Sequence, residues 1–137
     1  MFPGFLTYFH VNLMPIVNLQ MTAGYSAAQK TALLKQATQA ITESIGAPIS
    51  SVRIALHEIA SDHVIVAGEI GKEMVLFTVS LIAGRTEEKK AALILALNKA
   101  ACAATGISSK DVRVMVRDVP NTDMGMADGV SAKAAGR

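Results

Sequence analysis

Two spacings of apolar residues run along this chain, and each occurs twice. Residues 16–21 and 75–82 are short, mostly apolar runs, which predicts strands largely covered on both faces. Gly24 or Gly84 then breaks each run. Apolar residues next recur at helical intervals: Leu33, Leu34, Ala37, Ile41 and Ile45, then Leu93, Ile94, Leu97 and Ala101. Ser26-Ala-Ala-Gln29 is a capping-box signature for the first helix, and Thr86 with Glu87 and Glu88 starts the second. Gly46 and Gly106 mark the helix ends. The last segments alternate: Val52, Ile54 and Leu56 against Arg53, Ala55 and His57, then Val112, Val114 and Val116 against Arg113, Met115 and Arg117.

The two series are one series repeated. A shift of sixty aligns the halves without a gap: Ala23-Gly24 on Ala83-Gly84, Lys30 on Lys90, Gly46 on Gly106, Val52-Arg53 on Val112-Arg113 and Glu58 on Asp118. Strand, helix and strand with this crossover length make a right-handed βαβ unit. The expected fold is α/β (α+β): two tandem βαβ units forming a four-stranded sheet, two helices on one face and the arginines on the other. The expected divisions are a leader or mis-assigned start over residues 1–14, a first half over 15–74 and a second over 75–137, both halves in one domain.

Composition changes this picture at the front of the chain. Residues 1–13 hold Phe2, Phe5, Tyr8 and Phe9, four of the six aromatics, and no charged residue. They lack the basic region and small-residue cleavage site of a secretory signal. Two readings fit: a start placed too early, with Met14 the true start, or an apolar arm packing on a partner subunit. The first is preferred. Removal of Met14 would then leave Pro15 at the terminus, where its nitrogen is a secondary amine rather than an amide.

The remaining composition mostly excludes. A net charge of +2 with dispersed basic residues argues against nucleic-acid binding. No apolar run approaches the roughly 18 residues of a membrane span. The single cysteine, Cys102, cannot form an internal disulfide, fits a reducing cytoplasm and reads as a small buried helix residue. His10, His57 and His63 have no metal-ligand spacing and read as surface or contact residues. Half the residues are apolar, 51%, so some of that excess is expected in subunit contacts.

Pro15-Ile-Val, Gly24, the helix, Ala47-Pro48 and Ser51-Val52-Arg53, taken in register and twice over, resemble the tautomerase superfamily, in particular 4-oxalocrotonate tautomerase. The resemblance runs from Met14 to about Gly129, and the doubled form resembles the fused members, which assemble as trimers. It implies an isomerase catalysing enol–keto proton transfer on a small 2-oxo acid without metal or organic cofactor. The catalytic proline falls on Pro15 in the first half and on Val75 in the second. The arginine after the glycine turn falls on Tyr25 in the first half and Arg85 in the second, and the second-strand arginine on Arg53 and Arg113. The implied site is Pro15 as base, Arg85 clamping a carboxylate, and Arg53 or Arg113 polarising the 2-oxo oxygen. The family's aromatic wall falls on Val64 and Met124 and is missing.

Other readings stay open. Pro15 could simply start a strand, Arg85 could be solvated, and Arg53 and Arg113 could pair with carboxylates at a subunit contact. A retained leader would leave a non-catalytic trimeric relic or binding protein. The superfamily's dehalogenases need a late acidic residue, where this chain has Met124-Gly-Met126 between Asp123 and Asp128. Its decarboxylases need an acid where Ser50-Ser51 stand, although the stretch 111–129 resembles that branch.

Overall fold

The computed structural model describes residues 14–137. The residues ahead of Met14, including His10 and the aromatic leader, lie outside the described residues. Strand β1 (Ile16–Thr22) leads into helix α1 (Ala27–Ile45) and strand β2 (Arg53–Ile59). A small hairpin follows, β3 (Ile65–Val66) and β4 (Glu69–Ile70). Strand β5 (Val75–Ile82), helix α2 (Glu87–Thr105) and strand β6 (Val112–Val119) repeat the first unit.

The helix boundaries follow their local chemistry. Ser26 Oγ accepts the Gln29 N–H at 3.1 Å, and the Gln29 side chain accepts the Ser26 N–H at 2.9 Å, so α1 opens on a complete capping box. Thr86 Oγ1 accepts the Lys89 N–H at 3.2 Å, with Glu87 and Glu88 in the first turn of α2. Gly46 and Gly106 close the helices with φ of 73° and 78°, a left-handed conformation that a Cβ would disfavour.

The four long strands form one mixed sheet in the order β2-β1-β5-β6. Each βαβ unit is parallel within itself, and the two units meet antiparallel along β1 and β5. Both helices cover one face. Val17, Leu19 and Met21 of β1 and Val75, Phe77, Val79 and Leu81 of β5 meet Leu33, Ala37, Ile41, Leu93 and Leu97 in a single core drawn from both halves. Gln29 Nε2 reaches the Thr105 carbonyl at 3.4 Å, tying the start of α1 to the end of α2. The symmetry extends to ion pairs: Lys30 meets Glu58 at 2.6 Å, and Lys90 meets Asp118 at 2.7 Å.

Three expectations need correction. The expected cover on both faces of β1 is absent within one chain: Ile16, Asn18 and Gln20 are exposed, and the strand alternates instead of running continuously apolar. Leu34 is only half-buried and Ile94 is 40% exposed, because the buried stripes step by fours through Leu33, Ala37, Ile41 and Ile45, leaving their neighbours on the flank. Cys102 is half-buried, its thiol 3.7 Å from Asn98 Oδ1. The open sheet face carries Arg53, Ala55, His57, Arg113, Met115 and Arg117, as the alternation predicts. His57 and His63 are exposed.

Candidate active site at the start of the first strand

The antiparallel seam decides which residues can meet. Ile16 of β1 stands opposite Ser80 of β5, so the start of β1 lies beside the end of β5. Met14, next to Pro15, packs against the Ile82 cluster, and Arg85 follows Ile82 three residues later at the same end. Pro15 is buried, and its carbonyl accepts the Arg53 N–H at 3.1 Å. Met14 has φ 38°, a left-handed conformation costing a methionine roughly 1–2 kcal/mol.

The chain beyond β6 returns to this end and caps it. Ala132 N–H donates to the Met124 carbonyl at 2.8 Å, and Met126 N–H donates to the Val130 carbonyl at 2.7 Å. These bonds close a turn that buries Met124 and Ala132 against Ile82, with Met14, Val119 and Met126 packed around them. The position where the family's aromatic wall falls is thus buried Met124, and the wall is built of thioether and aliphatic groups. Val64, its counterpart in the first half, is also buried. Arg137 reaches the same cluster, its Nη1 at 3.8 Å from Met14 Sδ and 3.9 Å from Met126 Sδ.

The arginines are not equally placed. Arg85 is half-buried, and its Nε is buried without a hydrogen-bond partner. Arg53 pairs with Ile16 but lies on the open face, its Nη1 donating to the Ser50 and Val52 carbonyls at 2.7 and 3.3 Å. Arg113 pairs with Leu76, at the other end of the seam, opposite Gln20 and four residues along β1 from Ile16. At about 3.3 Å per residue that is roughly 13 Å away along the strand within one chain.

That opposite end is the symmetry mate of the first. A cavity of about 150 Å³ lies there, lined by Val66, Met74, Val75, Leu76, Lys110, Asp111 and Arg113. Valine stands in place of proline, and Tyr25 in place of Arg85. Tyr25 donates its hydroxyl to Glu73 Oε1 at 2.6 Å. Burial, reinforced by that bond and the Glu73 charge, pushes its phenol well above the ordinary value. Met74 N–H donates to Thr22 Oγ1 at 2.9 Å, pinning the strand start. The wider hollow along α1, lined by Leu34, Lys35, Thr38, Gln39, Thr42 and Ile49, carries no acid–base pair. Sequence reading passed over Arg137 and the Tyr25–Glu73 bond, because each depends on a contact between distant parts of the chain.

Comparison with known proteins gives this geometry its class. The family described as tautomerase enzyme matches twice, over residues 15–73 and 76–134. The chain belongs to the tautomerase family, in its duplicated, fused form, and is an isomerase-type enzyme. It is similar to 2-hydroxymuconate tautomerase of Comamonas testosteroni, 34% identical over 61 residues, which are 44% of this chain and 97% of that enzyme. Among solved structures it is similar to a wild-type symmetric trimer named Q0 fused 4-OT. That structure is 57% identical with a TM-score of 0.87, over 89% of this chain and 99% of the other. It is also similar to Pt0534 inactivated by 2-oxo-3-pentynoate, 46% identical with a TM-score of 0.87, over 89% of this chain and 99% of the other. No helix among the described residues is long and apolar enough to cross a membrane.

Proposed function

We propose that this protein is a cofactor-independent tautomerase of small 2-oxo acids, with Pro15 as general base once the residues ahead of it are removed. The carrying observation is that Met14, bonded to Pro15, packs against Ile82 and Met124 at the end of the sheet where β5 leads into the Arg85 loop. A proline amine is basic only when free; behind Met14 the nitrogen is an amide. The free amine titrates near about pH 8, and apolar and cationic surroundings lower that. Such a base is largely uncharged near neutrality.

The reaction is a 1,3-proton shift. Pro15 nitrogen takes the 2-hydroxyl proton of the enol, C2=O forms as the C2=C3 bond shifts, and the protonated amine returns the proton to C3. Base and proton balance within one turnover. Arg85 holds a substrate carboxylate, for which a guanidinium fork is suited. Its partnerless Nε is consistent with a site awaiting an acceptor. Negative charge building on the 2-oxo oxygen is met by Arg53 or Arg113. Both lie on the open sheet face, and Arg113 stands at the far end, so either would serve a neighbouring subunit's Pro15. We therefore propose a homotrimer that buries the open faces, with Ile16 and Met115 (40% and 51% exposed) in the contact. A cytoplasmic location belongs to the same reading, as do the divisions at residues 15 and 75.

The test compares chains beginning at Pro15 and at Met1. Conversion of phenylenolpyruvate or 2-hydroxymuconate from enol to ketone is followed spectrophotometrically. The Pro15-initiated chain is expected to be active, Pro15→Ala to lose most of that activity, and the Met1-initiated chain to be inert. A Pro15-initiated chain no faster than buffer, or unaffected by Pro15→Ala, overturns the assignment.

A further inference from the structure

We propose that the Val75 end of the sheet is a second binding site, which takes a small zwitterion, an α-amino acid with an aliphatic side chain, and does not convert it. The cavity of about 150 Å³ at that end has two kinds of wall. Val66, Met74, Val75 and Leu76 supply apolar surface and are buried or half-buried. Lys110, Asp111 and Arg113, from the turn before β6 and its start, supply charge, and Lys110 and Arg113 are exposed. The apolar side is therefore the deeper one, and the charged side faces solvent. A space of this size accommodates about six carbon atoms, enough for the side chain of leucine.

The charges decide the class of ligand. None of the three has an ion partner among the described residues, where the pairs involve Lys30, His63 and Lys90. A ligand with one charge of each sign serves them all: its carboxylate meets Lys110 and Arg113, and its ammonium meets Asp111. A simple carboxylate would leave Asp111 beside a like charge. The charged wall is also held in place, which lowers the cost of binding. Arg113 Nη1 donates to the Lys110 and Val112 carbonyls at 2.7 and 3.2 Å. The Asp111 N–H donates to the Ser108 carbonyl at 3.0 Å, and Asn98 Nδ2 donates to the Ser109 carbonyl at 3.1 Å, tying the turn to α2. The Pro15 end is built differently. Ser50-Ser51 stand there in register with Lys110-Asp111. At the Val75 end no arginine matches Arg85, because Tyr25 takes that place and gives its hydroxyl to Glu73. The Val75 nitrogen is a peptide amide, so a bound ligand meets no base. Assigning Arg113 to this cavity leaves Arg53 as the arginine offered to a neighbouring Pro15.

The test is calorimetric titration of the full chain with L-leucine, 4-methylpentanoate and 3-methylbutylamine, which share one side chain and differ in their charges. It needs no turnover, so it stands apart from the fate of Pro15. Leucine is expected to bind about tenfold or more tighter than either singly charged analogue. Asp111→Asn should remove its advantage over 4-methylpentanoate. Lys110→Gln should weaken leucine and 4-methylpentanoate together, on the order of tenfold, and leave 3-methylbutylamine unchanged. Val66→Phe, which fills the cavity from the hairpin, should abolish binding of all three while the thermal midpoint shows the variant folded. Arg85→Met, at the opposite end, should leave leucine binding unchanged. No leucine binding to the parent chain overturns the proposal, as does 4-methylpentanoate binding as tightly as leucine. Binding that survives Val66→Phe, or is lost in Arg85→Met, places the ligand elsewhere and refutes it.

Discussion

Replacing Arg85 with methionine is expected to make the protein more stable and less able to hold carboxylates. The reasoning starts from one atom: Arg85 Nε is buried with no acceptor. A buried donor left unmade costs roughly 1–3 kcal/mol. Methionine keeps an unbranched stem to cover the same apolar surface and removes the orphan donor. For a chain of this size each kcal/mol moves the midpoint by about 4 °C, so the variant should melt on the order of 4–12 °C higher. A ligand carboxylate that satisfies the guanidinium should reverse the order. At one hundred times its dissociation constant it stabilises the parent by about 2.7 kcal/mol and should leave Arg85→Met largely unmoved. The assay is thermal unfolding of the Pro15-initiated chain at fixed protein concentration, with and without adipate. The argument fails if Arg85→Met melts lower than the parent, or if adipate raises both midpoints equally.

Two other outcomes follow from the same geometry. Phe77 is fully buried at the centre of β5, so Phe77→Ala should cost about 3–5 kcal/mol in urea unfolding, and a loss below about 1 kcal/mol would contradict the packing. Tyr25 has its folded-state pKa raised from the ordinary 10.0, chiefly by burial and then by Glu73. The folded protein thus holds that proton more tightly, so its contribution is complete below about pH 10 and is lost as pH rises beyond it. Tyr25→Phe should therefore flatten the fall in stability between pH 10 and the folded-state value; equal slopes in parent and variant would refute the coupling.

How much of this was legible in the sequence depends on the range of the interaction. The duplication, both helices, their caps and the arginine-bearing face follow from neighbours within a few residues. Ser26 and Gln29 carry their own instructions, as do Gly46 and Gly106. The candidate site was legible only in part. Pro15 and Arg85 come from register with a known family, and their meeting needs the antiparallel seam. Arg137 touches Met14 across 123 positions, a contact that no periodicity encodes. The outer face of β1 misled for a simpler reason: Asn18 and Gln20 interrupt a run whose apolar content masked its alternation.

The seam between β1 and β5 has a consequence for inheritance. In a sheet made from two identical short chains, any substitution appears at both ends at once. Joining the halves in one chain separates the two ends, so each can change without the other. Valine for proline at position 75 and tyrosine for arginine at position 25 both alter one end of the sheet, and the Pro15 end keeps its own residues. Fusion turns one symmetric constraint into two independent ones, and leaves the Val75 end free to acquire a different chemistry.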